Sequence, residues 1–571
     1  MTWGKRRAIV IFVVLAFFVL IFWAAIRSGG RPRVMEANSV LVIDAEGAIE
    51  EQRPVDFFSA FTAERTPVLH DYLDLIDRGA DDGHITGLVV RIHPLATGWG
   101  KLEEIRSHLL GFRKSGKPSI CYLGGDGIGN PEYYLASACE RIWLVPTAPV
   151  SIHGMMAEAL FVRGTLDKLK IVPEFYHIAE FKTASNMFTE RRFTPAHKEE
   201  VESLLRSIYK QYVSETSQGL HMDAAKFESI LNRGPFSAEE AVQNKLVHRL
   251  AYWDQVQDFF KEKKGWSPVS LRRYRMASSM RFDVGERIAV VQASGLIVSG
   301  QSENTPGGGF VMGGDSVAAD VRKAREDSSI KAIVLRIDSG GGSAVASEVI
   351  RREVALATAR KPVVVSMSDV AASGGYWIAM DANKIVADPN TITASIGVLI
   401  GKFNIAGLYN LLGLSSDYVA TSDNATLFWD QQNFTPAQRA YIEKSLHETY
   451  DTFTRGVAAG RKMTVAAVDK IGKGRVWSGA QAKELGLVDE LGGLDRAIEV
   501  AKELAHIPAS APVHIVRFPE EKNFFQLFLE RQQDQFDSRT SPEAALDATL
   551  RRLLREMEPV QARMPFEVHI R

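Results

Sequence analysis

The sequence predicts two tandem α/β domains, each built on a parallel sheet covered by helices, behind one N-terminal transmembrane helix. Three observations carry that reading: the chain matches itself over most of its length, each half alternates strand-like and helix-like runs, and residues 8–26 form an unbroken apolar stretch. With 571 residues, 46% of them hydrophobic, the chain is too long for one core and supplies enough apolar material for two.

The stretch Ala8 to Ile26, AIVIFVVLAFFVLIFWAAI, is long enough to cross a bilayer as a helix and follows Lys5, Arg6 and Arg7. A cleaved signal peptide would have a shorter apolar core ending in a small-x-small site. FWAAIRS matches that poorly, so a retained anchor is expected. Arg27, Arg31 and Arg33 nearly balance the leading charges, and the orientation adopted is N-terminus inside, body outside. Lysine plus arginine total 68 against 69 acidic residues, which excludes the bulk basic field of a nucleic-acid binder. The two cysteines, Cys121 and Cys139, lack metal-ligand spacing and read as small buried hydrophobes. No metal and no cofactor is expected.

The self-match has four parts. VLVIDAEGAIEE resembles IAVVQASGLIVSG, each an apolar strand followed by a glycine, Gly47 and Gly295. ITGLVVRIHPLATG matches IKAIVLRIDSGGGS, setting Arg91 on Arg336. YYLASACERIWLVPTAPVSIHG matches YWIAMDANKIVADPNTITASIG, setting Pro146 on Pro389 and Gly154 on Gly397. FKTASNMFTERRFTP matches SDNATLFWDQQNFTP, setting Pro195 on Pro436. The order is preserved and the offset drifts only from about 248 to 241, so the halves are copies of one unit. Apolar runs such as AIVLRI and PVVVSM alternate with helix-like runs such as VASEVIRREVALATA, the pattern of β-α-β units with strands buried on both faces. The chain therefore divides into an anchor at 1–34, a first repeat at 35–261, a connector at 262–283, a second repeat at 284–510 and a polar tail at 511–571.

In the second repeat, VVVSMSDVAASGGYWIAMD sets Ser373 at the turn between a strand and a helix, where backbone N–H groups gather. Gly374 follows it, and its N–H can donate to an oxyanion formed by attack of the serine. A second glycine-rich turn, IDSGGGSAVASE, offers the N–H of Gly341 or Gly342 from the other side. Each turn alone is equally compatible with a phosphate cradle or a plain chain reversal. A nucleophilic serine also needs a base, and His93, His153 and His177 all lie in the first half without an evident acidic partner. A lysine can serve if burial brings its pKa down from about 10.4 toward neutrality. By spacing alone, Lys182 in HIAEFKTAS is one candidate among many. The repeat sharpens the choice, because about Asp423 stands opposite Lys182 and about Asn130 opposite Ser373. Each half keeps what the other lacks, as expected if one ancestral site was divided between two copies.

These residues resemble the signal peptide peptidase A (protease IV) family in its long, duplicated, membrane-anchored form, whose fold is similar to the Clp protease and crotonase group. The resemblance runs from the anchor to about residue 505 and rests on AASGGYWIA around Ser373, TASIGV with Ser395, and FKTAS with Lys182. It implies that Ser373 attacks, that Lys182 takes its proton, that Ser395 hydrogen-bonds and orients Lys182, and that Gly374 with Gly341 or Gly342 holds the oxyanion. It further implies a membrane-anchored serine endopeptidase for cleaved signal peptides and other apolar peptides, in contact with the lipid bilayer. The implied assembly is a homo-oligomer, typically a tetramer, in the bacterial inner membrane with its body on the periplasmic side. Gly340 departs from the family, which usually has proline there, and loosens the choice between Gly341 and Gly342.

Two other classes compete. A non-catalytic membrane scaffold would not need Ser373 and Lys182 kept in complementary halves. A crotonase-type acyl-thioester enzyme would use the glycine turns as its oxyanion hole, but no paired acidic residues stand near them.

Overall fold

A computed structural model describes residues 35–53, 67–264, 266–278, 285–304, 310–520, 560–563 and 569–570. The expected anchor at 1–34 lies outside the described residues, and among those described no helix is long and apolar enough to cross a membrane.

The first repeat's sheet runs, in spatial order, Arg249–Leu250, Arg141–Leu144, Ser119–Leu123, Ile85–Leu95, Ser39–Gly47, Ser267–Ser270. The second repeat's runs Glu490–Leu491, Lys384–Ala387, Val363–Ala372, Ile330–Ser339, Glu286–Ser294, Val513–Phe518. All neighbours in both series are parallel. The expected duplicated α/β architecture is thus present, strand for strand. Runs such as Ile333, Val334, Leu335 and Val363, Val364, Val365 are buried without remainder, because helices cover both faces of each sheet. Each repeat also has a long helix, Pro195–Gly219 and Pro436–Gly460, that opens on a proline behind a threonine cap. Thr194 accepts from His197 N–H and Thr435 from Gln438 N–H, satisfying donors that the first helical turn leaves over.

Three sequence expectations change here. The stretch 262–283, read as a connector, contains an edge strand, Ser267–Ser270, and a helix, Leu271–Ser278, that bury Val269, Leu271 and Tyr274 against the first repeat. Four residues are too few to show a period, and Pro268 is tolerated because the strand sits at the sheet edge. The region beyond 510, read as a polar tail, supplies Val513–Phe518 to the same edge of the second sheet, and Val560–Arg563 pairs farther on in that repeat. Cys121 and Cys139 are buried as expected but joined in a disulfide, linking a strand to the turn after the next helix.

The repeats meet through a buried ionic cluster and a shared ladder. Arg336, fully buried, donates from Nη2 to Glu51 at 2.6 Å and also to Glu104, and from Nη1 to Ser366 Oγ at 2.8 Å. Lys101 Nζ pairs with Asp338 at 2.7 Å and Asp369 at 3.1 Å. The guanidinium beside Glu51 holds its carboxyl down at about 2 against the upward push of burial. Beyond the cluster, Val172–His177 of the first repeat pairs antiparallel with Leu399–Asn404 of the second. That ladder delivers the segment carrying Lys182 to the other repeat.

Candidate active site

Strand Val363–Ala372 ends at Ser373, whose backbone lies at φ 55°, ψ −111°, a strained conformation for a residue with a side chain. Two contacts hold it there. Its N–H donates to Ala394 O at 2.7 Å, and its carbonyl accepts from Trp377 N–H at 2.8 Å, the first turn of helix Gly374–Ala379. The hydroxyl is consequently fixed at the head of the helix, fully buried.

Lys182 follows the cross-repeat strand and opens the short turn Thr183–Ser185. Its Nζ lies 2.7 Å from Ser373 Oγ, 3.0 Å from Ser395 Oγ and 3.3 Å from Ser395 O. Lys182, Ser373 and Ser395 are all completely buried. Burial lowers the Lys182 amine from its ordinary value to about 7, with Glu200 pulling the other way. A large share of the amine is therefore free base near neutral pH, which a solvated lysine never offers. Ser395 is also at positive φ, 51°, with its Oγ donating to Gly474 O at 3.2 Å and its N–H to Arg475 O at 2.9 Å. Its hydroxyl proton is thereby turned away from Lys182, leaving a lone pair toward the amine. Besides Lys182, the contact of Ser373 Oγ is the Gly397 carbonyl at 3.4 Å; His93, His153 and His177 have no contact with it.

The glycines expected to hold an oxyanion occupy three settings. Gly374 comes directly after the serine, at the helix start. Gly341 N–H donates to Ser339 Oγ at 3.1 Å, and that hydroxyl is itself anchored on Gly295 O at 2.6 Å. Gly342 stands opposite Ile297 in a ladder, where a side chain would come within 2.1 Å of the Ile297 carbonyl, so close strand packing accounts for it.

The repeat correspondences appear in atomic detail. Asn130 heads the first repeat's helix Asn130–Ala136 and donates to Gly154 O at 2.7 Å, the counterpart of the Ser373 contact with Gly397. Asp423 opens the short turn Asp423–Thr426 and is exposed. One element escaped sequence reasoning: the loop Gly472 to Arg475 of the second repeat closes over Lys182. Gly474 sits at φ 83°, and a Cβ there would lie 2.4 Å from Lys182 N, so only glycine admits the base segment so near. The paired glycines of IGKGRV were the available signal.

An alcohol beside a buried amine that gives up its proton near neutral pH, with backbone donors at the serine's turn, is equipped for acyl transfer. Peptidase family S49 matches residues 111–267 and 355–508, one stretch in each repeat, the first containing Lys182 and the second Ser373 and Ser395. A chloroplastic serine protease SPPA from Arabidopsis thaliana is 32% identical, over 99% of this chain and 82% of its own. Protease 4 of Salmonella typhi is 34% identical over 88% of this chain and 84% of its own, and Protease 4 of Haemophilus influenzae 31% identical over 88% and 85%.

Proposed function

The chain belongs to peptidase family S49 and is a serine peptidase; on that premise we propose that Ser373 is its nucleophile, Lys182 its general base and Ser395 the residue that orients Lys182. The observation that carries this reading is the 2.7 Å contact between Lys182 Nζ and Ser373 Oγ, buried between the two repeats. With the amine neutral, Ser373 passes its proton to Lys182 as Oγ attacks the scissile carbonyl. The carbonyl oxygen takes the negative charge and is received by the N–H of Gly374 and by that of Gly341, which leaves Ser339 Oγ for it. Lys182 then protonates the departing amine, and a water deprotonated by the same lysine hydrolyses the acyl-enzyme. Gly342 supports the turn without donating. The dyad needs no cofactor or metal.

The substrates in this reading are extended apolar peptides, cleaved signal peptides among them. Two observations support it. Val560–Arg563 lies antiparallel along Gly341–Ser343 and Leu399–Asn404, between the glycine turn and the strand after Ser395, so the cleft accepts a chain as an added strand. The apolar stretch 8–26 would hold such an enzyme at a bilayer, where apolar peptides collect. The same reading makes it a single-pass protein of the bacterial inner membrane, its body on the periplasmic side, assembled as a homotetramer.

The test is labelling by a fluorophosphonate, which reacts with an activated serine. Wild type should label on Ser373, and neither Ser373→Ala nor Lys182→Ala should label. Undiminished labelling of the Lys182 variant would remove the lysine from its role as base.

A further inference from the structure

One buried carboxylate beside the dyad has no part in the chemistry above. Glu200, in the second turn of helix Pro195–Gly219, is fully buried and accepts two hydrogen bonds from opposite sides. Thr183 Oγ1, from the residue next to Lys182, donates to Oε2 at 3.3 Å. Val476 N–H, from the second repeat, donates to Oε1 at 2.7 Å. Val476 stands opposite Ala394 in the antiparallel pair of Val476–Ser478 with Ile392–Ala394. The Ala394 carbonyl takes the Ser373 N–H, and Arg475, next to Val476, takes the Ser395 N–H on its carbonyl. A single side chain of the first repeat thus holds, at one bond's remove, the turn that carries the amine and the strand that fixes both serines.

The internal copy shows that the fold does not require this group. The position matching Glu200 is Tyr441, the sixth residue of the corresponding helix, and it is exposed. The carboxylate is present only in the copy that carries the lysine.

We propose that Glu200 is a positioning residue of the peptidase reaction, setting where the Lys182 amine sits between Ser373 and Ser395 by tying the base turn to the second repeat. This rests on the Ser-Lys reading given above. Glu200 also faces the amine as a titrating neighbour: burial raises its carboxyl to about 8, while Lys182 and Arg475 draw it down. The other charged or titratable groups around the pair are Glu199, which holds Arg475 at 2.6 Å, His197 one turn earlier on the same helix, and His177 on the cross-repeat strand. Raised to about 8, the Glu200 carboxyl is mostly protonated where Lys182 titrates near 7, so it acts on the amine through its hydrogen bonds to the two repeats and not through a charge.

The experiment compares kcat and KM from pH 5.5 to 9 for wild type, Glu200→Ala and Glu200→Gln on a short apolar peptide ester, with Lys182→Ala as control. Glu200→Ala should lower kcat by roughly 10- to 100-fold with KM little changed, the scale of a displaced catalytic group. Glu200→Gln keeps an acceptor for Val476 N–H and is likewise uncharged near neutral pH, so it should restore kcat to within about threefold and leave the acid limb of kcat/KM near its wild-type position. A folded Ala variant with wild-type kcat, or a folded Gln variant as slow as the Ala variant, overturns the assignment. If the Ala variant does not fold, Thr183→Val, which removes the contact to the base turn, decides in its place: a lowered kcat at unchanged KM supports the assignment and a wild-type kcat overturns it. Full activity of Lys182→Ala would instead overturn the Ser-Lys reading itself, whatever Glu200 does.

Discussion

Asn130 and Ser373 stand at the head of the same helix in the two repeats, and each reaches the same carbonyl, that of Gly154 in one and Gly397 in the other. The backbone differs between them. Ser373 adopts a left-handed conformation, while the first repeat makes its turn from Gly129 at φ −101° with no such strain at Asn130. Strain at this turn is therefore no requirement of the sheet and helix that flank it; it is confined to the copy with the hydroxyl. The matched arginines teach the same lesson at the interface. Arg91 pairs with Asp44 of its own repeat in a half-exposed setting, whereas Arg336 is buried and spent on Glu51 and Glu104 of the other. In both pairs the shared position is architectural, and for the arginines burial separates the copy that acts between the repeats from the copy that does not.

The largest effect that would break this comparison is loss of either half of the dyad. Ser373→Ala and Lys182→Ala should each lower kcat/KM by roughly ten-thousandfold, and the double variant should be no worse than either, because the two act as one unit. Asn130→Ala and Asp423→Ala, at the matched positions, should leave kcat/KM at the wild-type level. Hydrolysis of an apolar peptide ester measures all five proteins, and a double variant much slower than the singles would mean that the residues act separately.

The arginines come next. Arg336→Leu leaves Glu51 and Glu104 buried without their cation and should destabilise by about 3–5 kcal/mol. Arg91→Leu removes a half-exposed pair and should cost about 0–1 kcal/mol. Urea unfolding followed by tryptophan fluorescence measures both, and equal losses would show that the interface cluster is no more demanding than a surface pair.

What could be read from the sequence follows from the range over which its signals act. The β-α-β alternation and the serine turn are local patterns, and the repeat brought Lys182 and Ser373 into one argument although they lie 191 residues apart. The edge strands Ser267–Ser270 and Val513–Phe518 were missed because each is recruited by a strand far away in the chain and carries little pattern of its own. The Cys121–Cys139 bond was missed because its partners are set by a strand and the helix after it, while the second repeat shows the same site filled by Val365 and Ala382. No local pattern marks Glu51, Glu104 and Glu200; each is buried in the folded chain against a group of the other repeat.

Ser395 sharpens the contrast more gently. Its counterpart in the first repeat is Ile152, buried and without a hydroxyl. Ser395→Ala should reduce kcat by roughly 10- to 100-fold with little change in KM, since it removes one of the contacts that aim the amine but leaves base and nucleophile in place. An unchanged kcat would leave the neighbouring Ser395 carbonyl as the sufficient anchor for Lys182.

The smallest effect is also the one that most directly reads the environment of the base. Lys182 must be neutral to accept the Ser373 proton, so its protonation inactivates the enzyme. Activity should accordingly be low in acid, rise with pH through about 7, and level off above, with kcat/KM falling tenfold per unit well below the midpoint. A solvated lysine with its pKa near 10.4 would be neutral in only about one molecule in 2,500 at pH 7. Burial at the junction raises that share to about half. The loop that replaces the base segment in the second repeat, residues 413–425, is exposed and would offer no such shift to a lysine placed there. A substrate ester whose own groups do not titrate between pH 5.5 and 9 isolates the effect. A limb centred above pH 9 would mean that water reaches the amine, and that the dry contact between the repeats does not form in solution.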